Sequence, residues 1–154
     1  MLLHKIKEDL KNALKTGDGF TAGVLRFILS VIHNKEIEKR SGGKEPTLSE
    51  EETIGVLMKE VKKRKEAAEI FSKGGREDLA SKEIKESEII QKYLPEQLSE
   101  EEIVKIVAAA IERIGAKDVK DFGKIMTEAM KEANGRADAK TVSEAVKKQL
   151  AVDG

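Results

Sequence analysis

Residues 93–102 read Tyr93-Leu94-Pro95-Glu96-Gln97-Leu98-Ser99-Glu100-Glu101-Glu102, and this stretch contains both a helix end and a helix start. Pro95 forces Leu94 away from the α region, so the preceding helix stops here. A few residues on, Ser99 can accept the backbone N–H of Glu102 while the Glu102 carboxylate reaches back to the Ser99 N–H, the reciprocal capping box that opens a new helix. Leu98 and Ile103 suit the accompanying hydrophobic staple. The same five letters occur earlier, at Leu48-Ser49-Glu50-Glu51-Glu52. There they announce another helix and reuse a good cap; they do not mark an internal repeat.

Upstream, Leu3, Ile6, Leu10 and Leu14 step by three and four along one helical face, with Gly17 just past the end. A second helix is predicted from Thr21 to about Arg40; Val24, Leu25, Phe27, Ile28, Leu29, Val31 and Ile32 make its middle apolar nearly all round, which suits a central helix. Ser41-Gly42-Gly43-Lys44-Glu45-Pro46 is a loop by composition, expected to be mobile. The third helix should run from the Ser49 cap to about Lys73, with Ile54, Leu57, Met58, Val61, Ala68 and Phe71 inward, stopped by Gly74-Gly75. The fourth should span about Arg76 to Tyr93, with Leu79, Ile84, Ile89 and Ile90 inward. Beyond Pro95 three short helices are predicted: about Glu100 to Ile114, closed by Gly115; Val119 to Ala133, opened by Asp118 and closed by Gly135; and Ala139 to Ala151, opened by Asp138. The pattern predicts an all-α protein: an N-terminal domain of about four helices over 1–94 and a small three-helix tail domain over 95–154, meeting at Tyr93, Leu94 and Pro95.

The 154 residues carry 29 Lys plus Arg and 29 Asp plus Glu, a net charge of zero, with 38% charged and 39% hydrophobic side chains. A chain of this length buries about 68–70% of its unfolded surface, so a true core is expected, and balanced charge argues against disorder. With no cysteine there is no disulfide framework, no thiol nucleophile and no zinc site of the cysteine type. A reducing, cytoplasmic compartment is the corresponding expectation. No apolar run approaches the roughly 18 residues that span a bilayer, and Met1-Leu2-Leu3-His4-Lys5-Ile6-Lys7 does not form a secretory apolar region. Neither a membrane nor DNA is expected as a partner.

The only histidines, His4 and His33, are far apart, and neither neighbours a nucleophile motif. The runs Glu50 to Glu52 and Glu100 to Glu102 are explained as partners of helix first turns. The paired glycines follow no strand and lack a Gly-Lys-Ser/Thr ending. No catalytic residue, metal or cofactor is therefore expected.

What remains is the arrangement of positive charge. Lys59, Lys62, Lys63, Arg64 and Lys65 cluster with Glu60 alone against them. The cluster reads either as a solvated face whose marginal stems cover the core or as an RNA or partner surface. On a helical wheel Lys120, Lys124 and Lys131 fall within about 40° of one another, opposite Val119, Phe122, Met126 and Met130. Arg136, Lys140 and Lys147 extend the basic character. In Gly135-Arg136-Ala137-Asp138 the glycine serves as a C-cap and the aspartate as an N-cap, which leaves Arg136 unexplained. A phosphate at the free N–H groups of the next helix, in competition with Asp138, would meet that arginine. The candidate phosphate-contacting residues are thus Lys120, Lys124, Lys131, Arg136, Lys140 and Lys147, with a merely solvated face as the alternative, and Lys59, Lys62, Lys63 and Arg64 form a secondary basic patch. The five aromatics (Phe20, Phe27, Phe71, Tyr93, Phe122) are too scattered for a stacking platform, so RNA would be held by its backbone.

Six phrases, in order and spacing, carry a resemblance. They are Ile6-Lys7-Glu8-Asp9-Leu10-Lys11 with Ala13-Leu14-Lys15; Val24-Leu25-Arg26; Glu60-Val61-Lys62-Lys63-Arg64-Lys65-Glu66; the stretch 93–102; Gly123-Lys124-Ile125-Met126; and Gly135-Arg136-Ala137-Asp138. Over nearly its whole length the chain resembles the GatB/YqeY family, specifically its short stand-alone YqeY-like members. The resemblance implies an all-helical protein of two parts, the second similar to the tail domain of the B subunit of the glutamine-dependent aspartyl/glutamyl-tRNA amidotransferase, which helps hold tRNA. The family's tail motif falls on Gly123, Lys124, Met126, Gly135, Arg136, Ala137, Asp138 and Lys140. Phe122 stands where the family often has Met, and Ala139 where it often has Gly, so only a glycine-dependent close contact is put in question. The family's carbon-nitrogen ligase label, with glutamine as amide donor, descends from the amidotransferase; this chain shows neither its activating site nor an amidase nucleophile. The expected function is a tRNA-binding accessory module, not catalytic by itself, with an amidotransferase or an aminoacyl-tRNA synthetase as a further candidate partner. The alternative is a protein-interaction adaptor for such an enzyme that does not touch RNA.

Overall fold

In the computed structural model, which describes residues 1–43, 47–116 and 118–153, several helices start where a polar side chain takes up a free backbone N–H group. Seven α-helices are seen among the described residues, and no strand. The chain forms two compact units, Met1–Leu94 and Pro95–Gly154.

The first unit contains α1 (Leu2–Thr16), α2 (Gly19–Ser41), α3 (Glu50–Lys73) and α4 (Glu77–Gln91). Gly17, at φ 76°, ends α1 in the left-handed region that glycine enters without steric cost. Asp18 Oδ1 then accepts the Thr21 N–H at 3.1 Å, so α2 begins two residues before the predicted Thr21. Hydrogen bonding from the Thr21 side chain, and then from its backbone N–H, holds the Asp18 carboxyl below its ordinary range. Helix α2 runs through Ser41, which the composition had placed in a loop; Gly42 and Gly43 follow it as a turn, and residues 44–46 of that expected mobile loop lie outside the described residues. The predicted cap of α3 is present on both arms: Glu52 N–H donates to Ser49 Oγ at 3.1 Å, and Ser49 N–H to Glu52 Oε2 at 2.7 Å.

The core of this unit joins Ile6, Val24, Leu25, Ile28, Ile32, Val56, Leu57, Val61 and Ile90. Phe27 lies outside it, 47% exposed, and Ile84, predicted inward, is 39% exposed. The inward face of α4 instead carries Ala80, Ser87 and Ile90. Ser87 is buried because its Oγ donates to the Ile84 carbonyl at 2.6 Å, which satisfies the hydroxyl without a partner on another helix.

Buried charge ties the helices together. Arg64 Nη1 donates to Glu60 Oε2 at 2.8 Å and its Nε to Glu86 Oε2 at 3.2 Å. Its guanidinium carbon lies 4.9 Å from the centre of the Phe27 ring, within cation–π range. Thus α3, α4 and α2 converge on one side chain. At the end of the unit, Tyr93 donates its hydroxyl to Asp9 Oδ2 and Lys5 lies over its ring, fastening the chain after α4 to α1. Burial and the Asp9 carboxylate push the Tyr93 hydroxyl well above its ordinary pKa.

The second unit contains α5 (Glu100–Ile114), a single 3-10 turn (Val119–Asp121), α6 (Phe122–Ala133) and α7 (Ala139–Asp153). The Ser99–Glu102 box closes as predicted, at 3.2 Å and 2.8 Å, and Gly115 ends α5 at φ 70°. Asp118 opens the 3-10 turn by accepting the Lys120 N–H at 2.8 Å, so the continuous helix predicted from Val119 starts as a tighter coil. The left-handed end of α6 is shared by Asn134 (φ 46°) and Gly135 (φ 78°); asparagine is among the few residues that tolerate it. Ile103, Val107, Ala110, Ile125, Ala129, Ala133, Ala137, Val142, Val146 and Leu150 form the core.

Replacing Arg64 by alanine would leave the Glu60 carboxylate buried without its main cation. Breaking a buried pair from one side costs about 3–5 kcal/mol, so urea denaturation of Arg64→Ala should show a loss of that order; a loss under about 1 kcal/mol would count against a clamp role.

The caps carry a second expectation. The Ser99 N–H and hydroxyl hold Glu102 below its ordinary pKa of 4.5. A depressed folded-state pKa stabilises above the unfolded value and loses that contribution as pH falls through the folded one. Glu102→Gln, which removes the ionisable carboxyl, should therefore lower the urea midpoint at neutral pH, with the difference shrinking below pH 4.5; an equal difference at acid pH would contradict it.

Candidate nucleic-acid interface

Two basic regions came from the sequence, and the structure treats them differently. On α3, Lys59, Lys62 and Lys63 are exposed while Arg64 is buried. Arg64 is therefore withdrawn from the secondary patch, because Glu60 and Glu86 hold it inward. A cluster of one sign along a helix conceals such a residue when its carboxylate partner lies on the next helix. Lys63 Nζ is 3.4 Å from Glu60 Oε1, so Glu60 is shared between the buried clamp and the surface. The junction residues Tyr93, Leu94 and Pro95 are half-buried.

In the second unit Lys120, Lys124, Lys131, Lys140 and Lys147 are all exposed. Among the described residues none of the five forms an ion pair; the one between side chains of this unit joins Arg113 to Glu128 at 3.9 Å. Lys124 and Lys131 lie two turns apart on α6, and Lys140 and Lys147 two turns apart on α7. Lys120 lies on the 3-10 turn, where 100° per residue no longer applies, so the wheel grouping holds for Lys124 and Lys131 and not for Lys120. The buried stripe of α6 is Ile125, Ala129 and Ala133; Phe122, Met126 and Met130 are half-buried, and Val119 is 75% exposed. Alanine is small enough for close helix approach, which moves the inward face round from the larger side chains.

Arg136 has the structural explanation that capping lacked. Its Nε donates to the Glu96 carbonyl at 3.0 Å, while its own carbonyl accepts the Leu98 N–H at 2.7 Å. Gln97 Nε2 reaches the Pro95 and Gly135 carbonyls at 3.0 Å and 3.5 Å. The stretch that opens the tail and the turn before α7 therefore fasten one another. Gln97 and Glu96 were missed as members of this site because the pairing runs between segments about 40 positions apart. Asp138 Oδ1 accepts the Thr141 N–H at 2.7 Å, occupying a donor that a phosphate would otherwise use.

These features define an all-α protein of two helical units, with polar groups satisfied inside and lysines concentrated outside. A family model described as "Yqey-like protein" matches residues 3–150, and the chain belongs to the YqeY-like family. It is similar to "Altered inheritance of mitochondria protein 41, mitochondrial" of Clavispora lusitaniae, 41% identical over 120 residues, covering 76% of this chain and 66% of the relative. The protein of the same name in Vanderwaltozyma polyspora is 37% identical over 89 residues, 58% of this chain and 46% of the relative. The matched part of the chain thus spans less than two thirds of the length of these relatives. Their names carry a mitochondrial location, which overturns the cytoplasmic expectation. That expectation rested on the lack of cysteine, and a chain without thiols suits any reducing compartment. No described helix is long and apolar enough to cross a membrane.

Arg136→Ala should detach the segment around Glu96 from the turn before α7. Loss of one exposed charged hydrogen bond is worth about 1 kcal/mol, and faster amide hydrogen exchange at Leu98 is the expected reading. Unchanged protection there would show that Arg136 does not hold the segment.

Proposed function

We propose that the chain is a tRNA-binding accessory module related to the glutamine-dependent tRNA amidotransferases, acting through phosphate contacts and not catalytic by itself. The observation that carries this reading is the set of exposed lysines on the second unit without carboxylate partners: Lys120, Lys124, Lys131, Lys140 and Lys147. The unit has 10 basic and 12 acidic residues, but several of its carboxylates serve helix starts. Glu102, Asp118 and Asp138 accept backbone N–H groups. Those hydrogen bonds fix where these carboxylates sit and leave their charge in place, so the reading rests on the exposed lysines themselves. Phosphate binding needs such unpaired cations, because each contact releases condensed counterions. Arg136 stands in this reading as the residue that shapes the turn between two lysine-bearing helices. The rival reading, a protein-interaction adaptor, is supported by the apolar cleft of Val119, Phe122, Leu150 and Ala151 with Lys147 at its wall.

Fluorescence anisotropy of labelled tRNA, titrated from low to physiological salt, tests the proposal. A protein neutralising about 3 to 6 phosphates loses affinity with a log–log slope of roughly −2 to −5. The variant Lys124→Ala, Lys140→Ala, Lys147→Ala should bind more weakly and with a shallower slope. Salt-insensitive binding, or none, would move the assignment to the adaptor.

A further inference from the structure

Helices α3 and α4, joined through Gly74, Gly75 and Arg76, pack along one another as an antiparallel pair. Their outer faces enclose an open cleft of about 680 Å³. On α3 its walls are Lys65, Ala68, Glu69 and Ser72; on α4 they run from Glu77 to Glu88 and include Ala80, Ile84 and Lys85. Steps of three and four continue along both walls, so each helix turns one straight face to the cleft.

Two features of this face point outside the chain. Ala68 and Ala80 are buried at 5% and 6%, while Ile84 beside them is 39% exposed. Small side chains thus leave a hollow next to a large apolar one that the chain does not cover. The second feature is charge. Lys65, Glu69, Lys85 and Glu88 are all exposed, and none of them forms an ion pair among the described residues. Lys65 precedes Glu69 by one turn, the less favourable order for a pair within a helix. The remaining wall glutamate, Glu77, accepts the Ser72 hydroxyl.

The unpaired charges lie at separate levels. Measured from Gly75 at 1.5 Å per residue, Lys65 and Lys85 share one level at about 15 Å, while Glu69 lies at about 9 Å. On the same scale Ile84 is at about 14 Å and Ala68 at about 11 Å. A two-fold axis crossing the cleft at about 12 Å exchanges these levels. It sets Glu69 of one copy against the lysines of the other, and Ile84 of one over Ala68 of the other. A two-fold interface makes every contact twice, so the face that forms it must complement itself. A uniformly acidic or basic partner would satisfy one level and oppose the other.

We propose that this cleft is a self-association face, on which a second copy of the chain lays its own α3 and α4 about a two-fold axis to make a four-helix dimer. The face belongs to the first unit and does not rest on tRNA binding by the second.

Analytical ultracentrifugation of the full chain without RNA, from about 1 μM to about 1 mM, tests the proposal. A monomer–dimer equilibrium is expected. Ile84→Glu should raise its dissociation constant by roughly tenfold or more. Glu69→Lys by itself, and Lys65→Glu combined with Lys85→Glu, should each abolish association, since like charges then face one another across the axis. An equimolar mixture of those two variants should restore the dimer, which also shows that both are folded. A chain that remains monomeric at about 1 mM, a dimer that Ile84→Glu leaves intact, or a mixture no more associated than its components would overturn the proposal.

Discussion

The guanidinium of Arg64 is the point at which α2, α3 and α4 meet, and the first unit is organised around its need for partners. A buried cation is tolerated only when its hydrogen bonds are satisfied and its charge is balanced. Glu60, one turn earlier on the same helix, supplies one carboxylate; Glu86 supplies another from α4. Phe27 on α2 offers the face of its ring. This arrangement specifies how the three helices are turned about their axes, because a rotation of α4 that moved Glu86 away would leave the charge underbalanced. Apolar contacts among Leu25, Leu57 and Ile90 are less directional and could not set that register alone.

The clamp also changes how the basic surface is understood. Lys59 to Lys65 looks like one patch in the linear chain, yet its strongest hydrogen-bond donor faces inward and Lys63 leans on Glu60. Part of the positive charge of α3 is therefore committed to the fold. In the second unit the division runs the other way: carboxylates are drawn to helix starts, and the lysines of α6 and α7 are left to solvent. A chain of zero net charge can thus carry exposed lysines that form no ion pair among the described residues.

The family phrases divide by role in a similar manner. The Leu-Ser-Glu-Glu-Glu segment within 93–102, like its copy at 48–52 outside the family phrases, is a cap and acts locally. The 93–102 stretch and the Gly135–Asp138 turn act on each other through Arg136, Gln97 and Leu98, so part of what looks like a ligand motif in sequence is an internal fastening. The lysines that neighbour it, Lys131 and Lys140, have no such internal use among the described residues.

All seven helices, both capping boxes and the glycine ends at Gly17 and Gly115 were legible in the sequence. Each depends on residues within about four positions of one another, where hydrogen-bonding geometry is set by the backbone alone. The starts of α2 and α6 were read less well, since Asp18 and Asp118 each offered a cap whose exact use depends on the turn before it. The exposure of Lys124, Lys131, Lys140 and Lys147 was also legible, as the far side of an apolar stripe. What only the tertiary structure decided are the partners across segments: Arg64 with Glu86 and Phe27, Tyr93 with Asp9, and Arg136 with Glu96. Helical periodicity says which side of a helix turns inward; which residue of another helix it meets is determined by packing between segments that no local spacing relates.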